Sequence, residues 1–418
     1  MFLSSRLNLC VALSLFLTLA CGFAGEPNPA MPPNPLDQKV KDAVEKGKAF
    51  LLAKADGTGL FEGQYKDKIG SAALVVCALR KAGVPPEHEA IRKTIERIYI
   101  YADSKMDADS KMTYDCGLCL LALDAVNHPS DPNYAPTLDL KAKTAAANLA
   151  LQLLKSRGPR GGWLYFGKSD GDMSTSQYGA LGLWAASRLG IPIPPPIWDG
   201  VAVYVIRVHQ KENGGFSYHD QIKKADLAIP SITAAAIGTL ALAFRQSTKK
   251  EIVREIVIDD YDTDKKTEKK TITVETKKPN TELEKAIERG FAAWAGMGFD
   301  QKNAYYWYAA ERACTLTNTK MLGKLPWFET LANQILPLQK DDGSWINGHD
   351  ATCDTSWALL ALTRSTGQMI HKADEYDYNG ASKPAAAKPD APKPEAPKSP
   401  PPPETKKPEP NKPKPVDE

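Results

Sequence analysis

From Leu36 to about Met369, one insertion apart, the apolar residues fall three and four positions apart in the manner of helices. The pattern predicts helices, and those helices repeat. SAALVVCAL from Ser71, DCGLCLLAL from Asp115, SQYGALGLW from Ser176 and DTSWALLAL from Asp354 align without gaps, and SITAAAIGTLAL from Ser231 joins them with a one-residue slip. Each begins with Ser or Asp, read here as an N-cap whose side-chain oxygen accepts from a first-turn N–H. The small residues that follow permit close helix–helix approach.

A second piece recurs upstream of these segments. Gln339 precedes Gly343-Ser344-Trp345, and Gln210 precedes Gly214-Gly215-Phe216; Arg160-Gly161-Gly162-Trp163 and Gly57-Thr58-Gly59-Leu60-Phe61 are looser versions. Before each lies an amphipathic stretch such as PWFETLANQILPL. The unit is therefore helix, glycine–aromatic turn, helix, with starts near Val40, Glu89, Leu140, Pro196, Leu283 and Trp327. Six pairs form either an open solenoid or a ring, and the lack of polar capping units favours the ring. In the fifth unit, NAYYWYAAERAC replaces the small-residue helix with aromatics plus Glu311 and Arg312. Alternation in REIVI and KTITVET marks a β-hairpin insertion over 247–280.

The two ends do not belong to this pattern. Residues 1–24 carry one cation (Arg6), an apolar run from Leu7 to Ala20 and small residues at Gly22 and Ala24, the layout of a secretory signal peptide. Thr18-Leu19-Ala20-Cys21 is a degraded lipobox, which makes a lipoprotein anchored at Cys21 the alternative. The expected location is periplasmic or extracellular. Residues 376–418 are rich in Pro, Lys, Ala and Glu with almost no large apolar side chain, the composition of a disordered tail able to contact cell wall or envelope.

Charge and cysteine content narrow the function. The formal charge of +3 is nearly balanced and shows no basic cluster on a folded face, so no nucleic-acid partner is expected. Of seven Cys, Cys10 and Cys21 lie in or beside the leader; the other five are an odd number, so at least one thiol stays unpaired.

Gln339, Gly343 and Trp345 resemble the Q-W repeat of squalene and oxidosqualene cyclases, with Gln210, Gly214 and Phe216 a near match. The stretch from Tyr305 to Arg312, followed by Trp327-Phe328 and QKDDGSW, is similar to an exported bacterial branch of the prenyltransferase/squalene-oxidase repeat superfamily. The resemblance spans residues 36–370. It implies an all-α (α/α)6 toroid, with inner helices lining a bore and Q-W pieces tying outer helices together.

The chemistry of that superfamily does not follow. Its cyclase acid motif, D-x-D-D, finds only Asp107-Ala108-Asp109-Ser110, in a polar loop. Asp260, Asp262 and Asp264 have the spacing of a calcium loop, but Lys265 stands where glycine is needed. The D-x-C zinc signature of prenyltransferases is absent, and Cys116-Gly117-Leu118-Cys119 lies within a repeat helix. His349, Asp350 and Cys353, echoed by His219-Asp220, offer zinc-type ligands without a zinc spacing. No catalytic residue, metal or cofactor is therefore expected. The candidate ligand contacts are Tyr305, Trp307, Tyr308, Glu311 and Arg312 on the aromatic helix, with His349, Asp350 and Cys353 at the rim. Gln210, Gly214, Phe216, Gln339, Gly343, Trp345, Asp115 and Asp354 are assigned to the scaffold. The expected role is a non-cyclising binding or scaffold module for a lipid, glycan or protein, with a divergent cyclase or a carbohydrate-active (α/α)6 enzyme as the alternative.

Overall fold

The computed structural model describes residues 35–63, 68–104, 113–127, 138–164, 171–219, 227–247, 250–259, 269–277, 281–299 and 302–369. These lie in a compact unit, Met1–Ala381; a second, Ser382–Glu418, is outside the described residues. Also outside them are the leader with Cys21, the 376–418 tail, Asp107, Asp109, Asp220 and Asp260 to Asp264.

Twelve α-helices are found among the described residues, alternating between two roles. The odd-numbered ones are α1 (Pro35–Ala53), α3 (Glu89–Asp103), α5 (Leu140–Ser156), α7 (Pro195–Tyr204), α9 (Thr281–Met297) and α11 (Trp327–Ile335). The even-numbered ones are α2 (Ile69–Lys81), α4 (Thr113–Asn127), α6 (Met173–Arg188), α8 (Pro230–Ser247), α10 (Ala304–Leu316) and α12 (Ala351–Leu362). Each even helix packs on the next, and α12 packs back on α2, so the six close a ring. The odd helices surround it. α3 shows why: Ile91, Thr94, Ile95, Ile98 and Ala102 are buried at helical spacing, while charged residues cover its outer face. The inner helices bury nearly all round, α6 from Met173 to Ala186 without a break.

The inner helices run parallel. Gly70 N donates to Asp115 Oδ1 at 3.0 Å between the first turns of α2 and α4. At the opposite rim Arg80 Nε donates to Ala125 O at 3.1 Å, and Arg245 Nη2 donates to Leu316 O at 2.8 Å. Cations thus cover the carbonyl ends of neighbouring helices, where the helix dipole favours them.

The glycine–aromatic turns lock each pair to the next. Gln339 Nε2 donates to Gly343 O within its turn and to Ala43 O of α1, joining the last outer helix to the first. Gln210 Nε2 does the same with Gly214 O and Ala286 O of α9. Gly343 and Gly214 both have φ of +88°, and a Cβ on either would lie 2.5–2.6 Å from the outer-helix carbonyl it faces, Lys46 O or Arg289 O. The ring of the turn is buried: Trp345 Nε1 donates to Ile335 O at 2.8 Å, and Trp163 Nε1 to Leu153 O at 2.7 Å.

The cap reading needs correction. α12 is capped by Asp350, which accepts from Cys353 N, and α6 by Asp172, which accepts from Thr175 N. Asp354 sits one turn inside α12, where its Oδ2 accepts from Asn347 N and His349 N of the preceding loop. Asp115 and Ser176 are likewise inside their helices; Ser176 Oγ accepts from Trp163 N at 2.9 Å. Thr233 and Thr355 hold Phe216 N and Trp345 N in the same way, each at 3.0 Å. The recurring polar residue therefore orders the turn before the helix rather than the helix end itself.

The expected hairpin is present as antiparallel β1 (Lys250–Asp259) and β2 (Lys269–Lys277), with an irregularity between Ile252 and Arg254. A second, minimal pair, β3 (Met321–Leu322) and β4 (Leu325–Pro326), joins α10 to α11 and was not legible as alternation. All five described cysteines are buried free thiols. No helix among the described residues is long and apolar enough to cross a membrane.

Candidate ligand site at the mouth of the bore

Because the inner helices are parallel, their first turns bring side chains to one mouth. Tyr305 is the second residue of α10, and its hydroxyl meets Ser174 Oγ of α6 at 2.8 Å and Gln177 Nε2. Ser174 Oγ also pairs with the Tyr114 hydroxyl of α4 at 2.7 Å. The Trp357 indole of α12 meets Tyr305 edge-on at 6.0 Å, and His349 lies against the same indole at 4.8 Å. Tyr114, Tyr305 and His349 are partly exposed; Trp357 is almost covered. Together they form an aromatic platform edged with hydroxyl, amide and imidazole groups.

Beneath it side chains reach across the bore. α6 and α12 occupy opposite positions in the ring, and Trp357 Nε1 donates to the Tyr178 hydroxyl across it at 3.0 Å. One level down, the Arg312 guanidinium lies 3.9 Å from the Tyr308 ring centroid and 5.8 Å from that of Tyr178, and donates to Gln177 Oε1. Burial works against this cation, but Tyr308, Tyr178 and Tyr305 more than offset it and hold its pKa above the ordinary value.

The candidate residues divide. Tyr305, Tyr308 and Arg312, at i, i+3 and i+7, share the face of α10 that enters the bore. Trp307 and Glu311, at i and i+4, are on another face and leave the site: both are buried and neither reaches the mouth. Glu311 holds the turn after α12, accepting from Thr366 N at 3.1 Å, Thr366 Oγ1 at 2.6 Å and Thr315 Oγ1 at 3.2 Å. Burial pushes its carboxyl up to about 7, with the Thr366 contacts opposing. Asp350 caps α12, and Cys353 lies behind it with its thiol pushed up by burial and by Asp350 and Asp354, so it is no ready thiolate.

Four rim carboxylates serve the backbone, and two of them also meet side chains: Asp172 Oδ2 accepts from Thr175 Oγ1 at 2.7 Å, and Asp354 Oδ1 lies 3.4 Å from His349 Nδ1. Asp172, Asp350 and Asp354 accept from the N–H groups already given, and Asp115 accepts from Gly70 N. Burial raises Asp115 to about 6, with the Gly70 N–H working against it. Among the described residues, no three His, Cys, Asp or Glu side chains converge to hold a metal ion. Tyr114, Ser174, Gln177, Tyr178 and Trp357 were not singled out from sequence. The signal for two of them was one residue away. Matching the hydroxyls of Ser176 and Thr355, which play the same part, places Tyr178 level with Trp357, a pairing the ungapped alignment hides.

No described protein family and no curated protein matches the chain in sequence. Solved structures do match it in shape. A type II terpene cyclase variant from Scytonema, solved with geranylgeranyl dihydroxybenzoate, superposes with a TM-score of 0.51 at 14% identity, covering 80% of this chain and 99% of that one. An unsaturated glucuronyl hydrolase from Bacillus sp. GL1 gives 0.51 at 13% identity, covering 78% and 96%. An inactive α-1,6-mannanase variant of Salegentibacter sp. HEL1_6, in complex with α-1,6-mannotetrose, gives 0.51 at 10% identity, covering 78% and 99%. With six parallel inner helices closed into a ring inside six outer ones, this chain is an (α/α)6 toroid, the fold these proteins share.

Proposed function

We propose that the chain is an exported, non-cyclising binding module that takes a glycan on the aromatic platform at the mouth of its bore. The observation that carries this is the Trp357–Tyr178 hydrogen bond across the ring, which with Arg312 and Tyr308 sets side chains across the bore beneath the platform. An apolar polyprenyl chain needs an enclosed cavity, whereas a sugar needs a ring face to stack on and polar groups at its edge. The accessible parts of Tyr114, Tyr305 and His349 supply both. Two proteins of the same fold, the glucuronyl hydrolase and the mannanase solved with mannotetrose, support the glycan reading beside that geometry.

The rival reading is a carbohydrate-active enzyme, which needs two carboxyl groups free to move protons across the mouth. Asp115, Asp172 and Asp350 are engaged with backbone N–H groups, which supports binding without turnover; proton transfer through the His349–Asp354 pair would favour the rival. Native mass spectrometry of protein purified from its host tests the ligand: an intact bound oligosaccharide is expected, and a bound polyprenoid would overturn the assignment. Export rests on the layout of residues 1–24. Amino-terminal sequencing of the mature protein is expected to start at Gly25; a start at Cys21 would mean a lipoprotein, and an intact Met1 would refute export.

A further inference from the structure

At the rim opposite the mouth lies a cleft of about 450 Å³, bounded by the ends of α8 and α10, the β3–β4 pair, the start of α11 and the turn after α12. That volume is within the range of ligand pockets. Its floor is aromatic, with the Trp327 and Phe328 rings edge to face at 5.5 Å. Met321 and Leu325 extend apolar surface along its edge, 49% and 44% exposed. Three cations line it, Arg245, Lys320 and Arg364, against one carboxylate, Glu329.

The cations are not equivalent. Arg245 is committed to Leu316 O through Nε and Nη2. Arg364 lies over the Phe328 ring at 4.2 Å, on a residue whose φ of +50° is rare for a side chain larger than glycine. Among the described residues neither Lys320 nor Arg364 forms an ion pair. Helix ends need only the first kind of cation; the other two leave an aromatic-floored cleft with a net positive charge, three cations to the one carboxylate of Glu329.

A complement follows almost at once in the chain. Gly367 lines the cleft, Met369 is the last described residue, and Ala373-Asp374-Glu375-Tyr376-Asp377-Tyr378 comes next but three. Five residues of extended chain span at most about 17 Å, enough to reach back into the cleft. This stretch alternates carboxylates with tyrosines, whereas beyond Ala381 the carboxylates are scattered among lysines and prolines. We propose that Ala373–Tyr378 docks in this cleft in cis, its carboxylates on Lys320 and Arg364 and a tyrosine on the aromatic floor. The strap would cover the apolar edge at Met321. It is independent of what the mouth binds.

Zero-length carbodiimide cross-linking of the full chain, followed by peptide mass spectrometry, tests this directly. The expected product is an amide between Lys320 and Asp374, Glu375 or Asp377 in the monomer, with mixed ¹⁴N/¹⁵N protein showing both peptides from one chain. Tyr376→Ala with Tyr378→Ala keeps every carboxylate, lies outside the ring and is expected to lower the cross-link yield at least threefold. Arg364→Glu should lower it similarly, with the helical circular dichroism unchanged. A link from Lys320 only to other carboxylates, only between chains, or at undiminished yield in the tyrosine variant would overturn the proposal.

Discussion

Glu311 shows how a residue that reads as functional in sequence becomes structural in three dimensions. Its carboxyl is buried against Thr315 and the Thr366 turn, and burial pushes it from 4.5 up to about 7. A carboxyl with a folded pKa above its unfolded one favours the folded state fully while protonated, and that contribution is lost as pH rises from 4.5 through 7. Glu311→Gln keeps an acceptor for Thr366 and removes the titration. Denaturant unfolding at several pH values should therefore show wild type losing roughly 1–3 kcal/mol, relative to the variant, between about pH 5 and pH 8. Parallel curves would mean the carboxyl is not held up by the fold. Asp115, raised to about 6, adds a slope of the same sign to both proteins, so the difference isolates Glu311. The sequence could place Glu311 and Arg312 on an inner helix but not say which faced the bore, because that depends on a turn some fifty residues later.

The glycine–aromatic turn is the element on which the fold depends, and it was also the most legible one. Its Gln, Gly and aromatic positions have backbone reasons that recur, so the spacing survives even where identity is lost. Gly343 combines a positive φ with an approach to Lys46 O that leaves no room for a methyl group. Gly83 has nearly the same φ, +86°, and open space around it. Gly83→Ala is expected to cost about 1 kcal/mol from backbone conformation alone, and Gly343→Ala about 2–4 kcal/mol because α1 must also move. Thermal unfolding of the two variants measures the difference; equal losses would show that the turn does not bear on the neighbouring outer helix. The helix starts were less legible, since Asp354 and Ser176 look like caps and instead accept from N–H groups of the preceding turn. Local propensity identifies a residue that satisfies backbone donors, but the donors it satisfies are chosen by tertiary packing.

At the scale of the whole molecule, closure decides function. α12 packs on α2 and Gln339 reaches α1, so the ends of the repeat array meet and first turns from four inner helices share one mouth. The platform residues come from four separate stretches of chain, each unremarkable alone, which is why only Tyr305 and His349 stood out before the ring was seen. Two carry the platform: Tyr305, bonded to Ser174 and Gln177, and Trp357, bonded across the bore to Tyr178. Removing the partly exposed Tyr305 ring leaves the cross-bore bond in place and takes away a stacking face. The account is tested most directly by titrating the full chain with the oligosaccharide that co-purifies with it, while following the mass of that oligosaccharide. It predicts saturable binding, at least about tenfold weaker in Tyr305→Ala with the helical circular dichroism unchanged, and a ligand recovered intact. Cleavage of the oligosaccharide, or affinity unchanged in Tyr305→Ala, would contradict it.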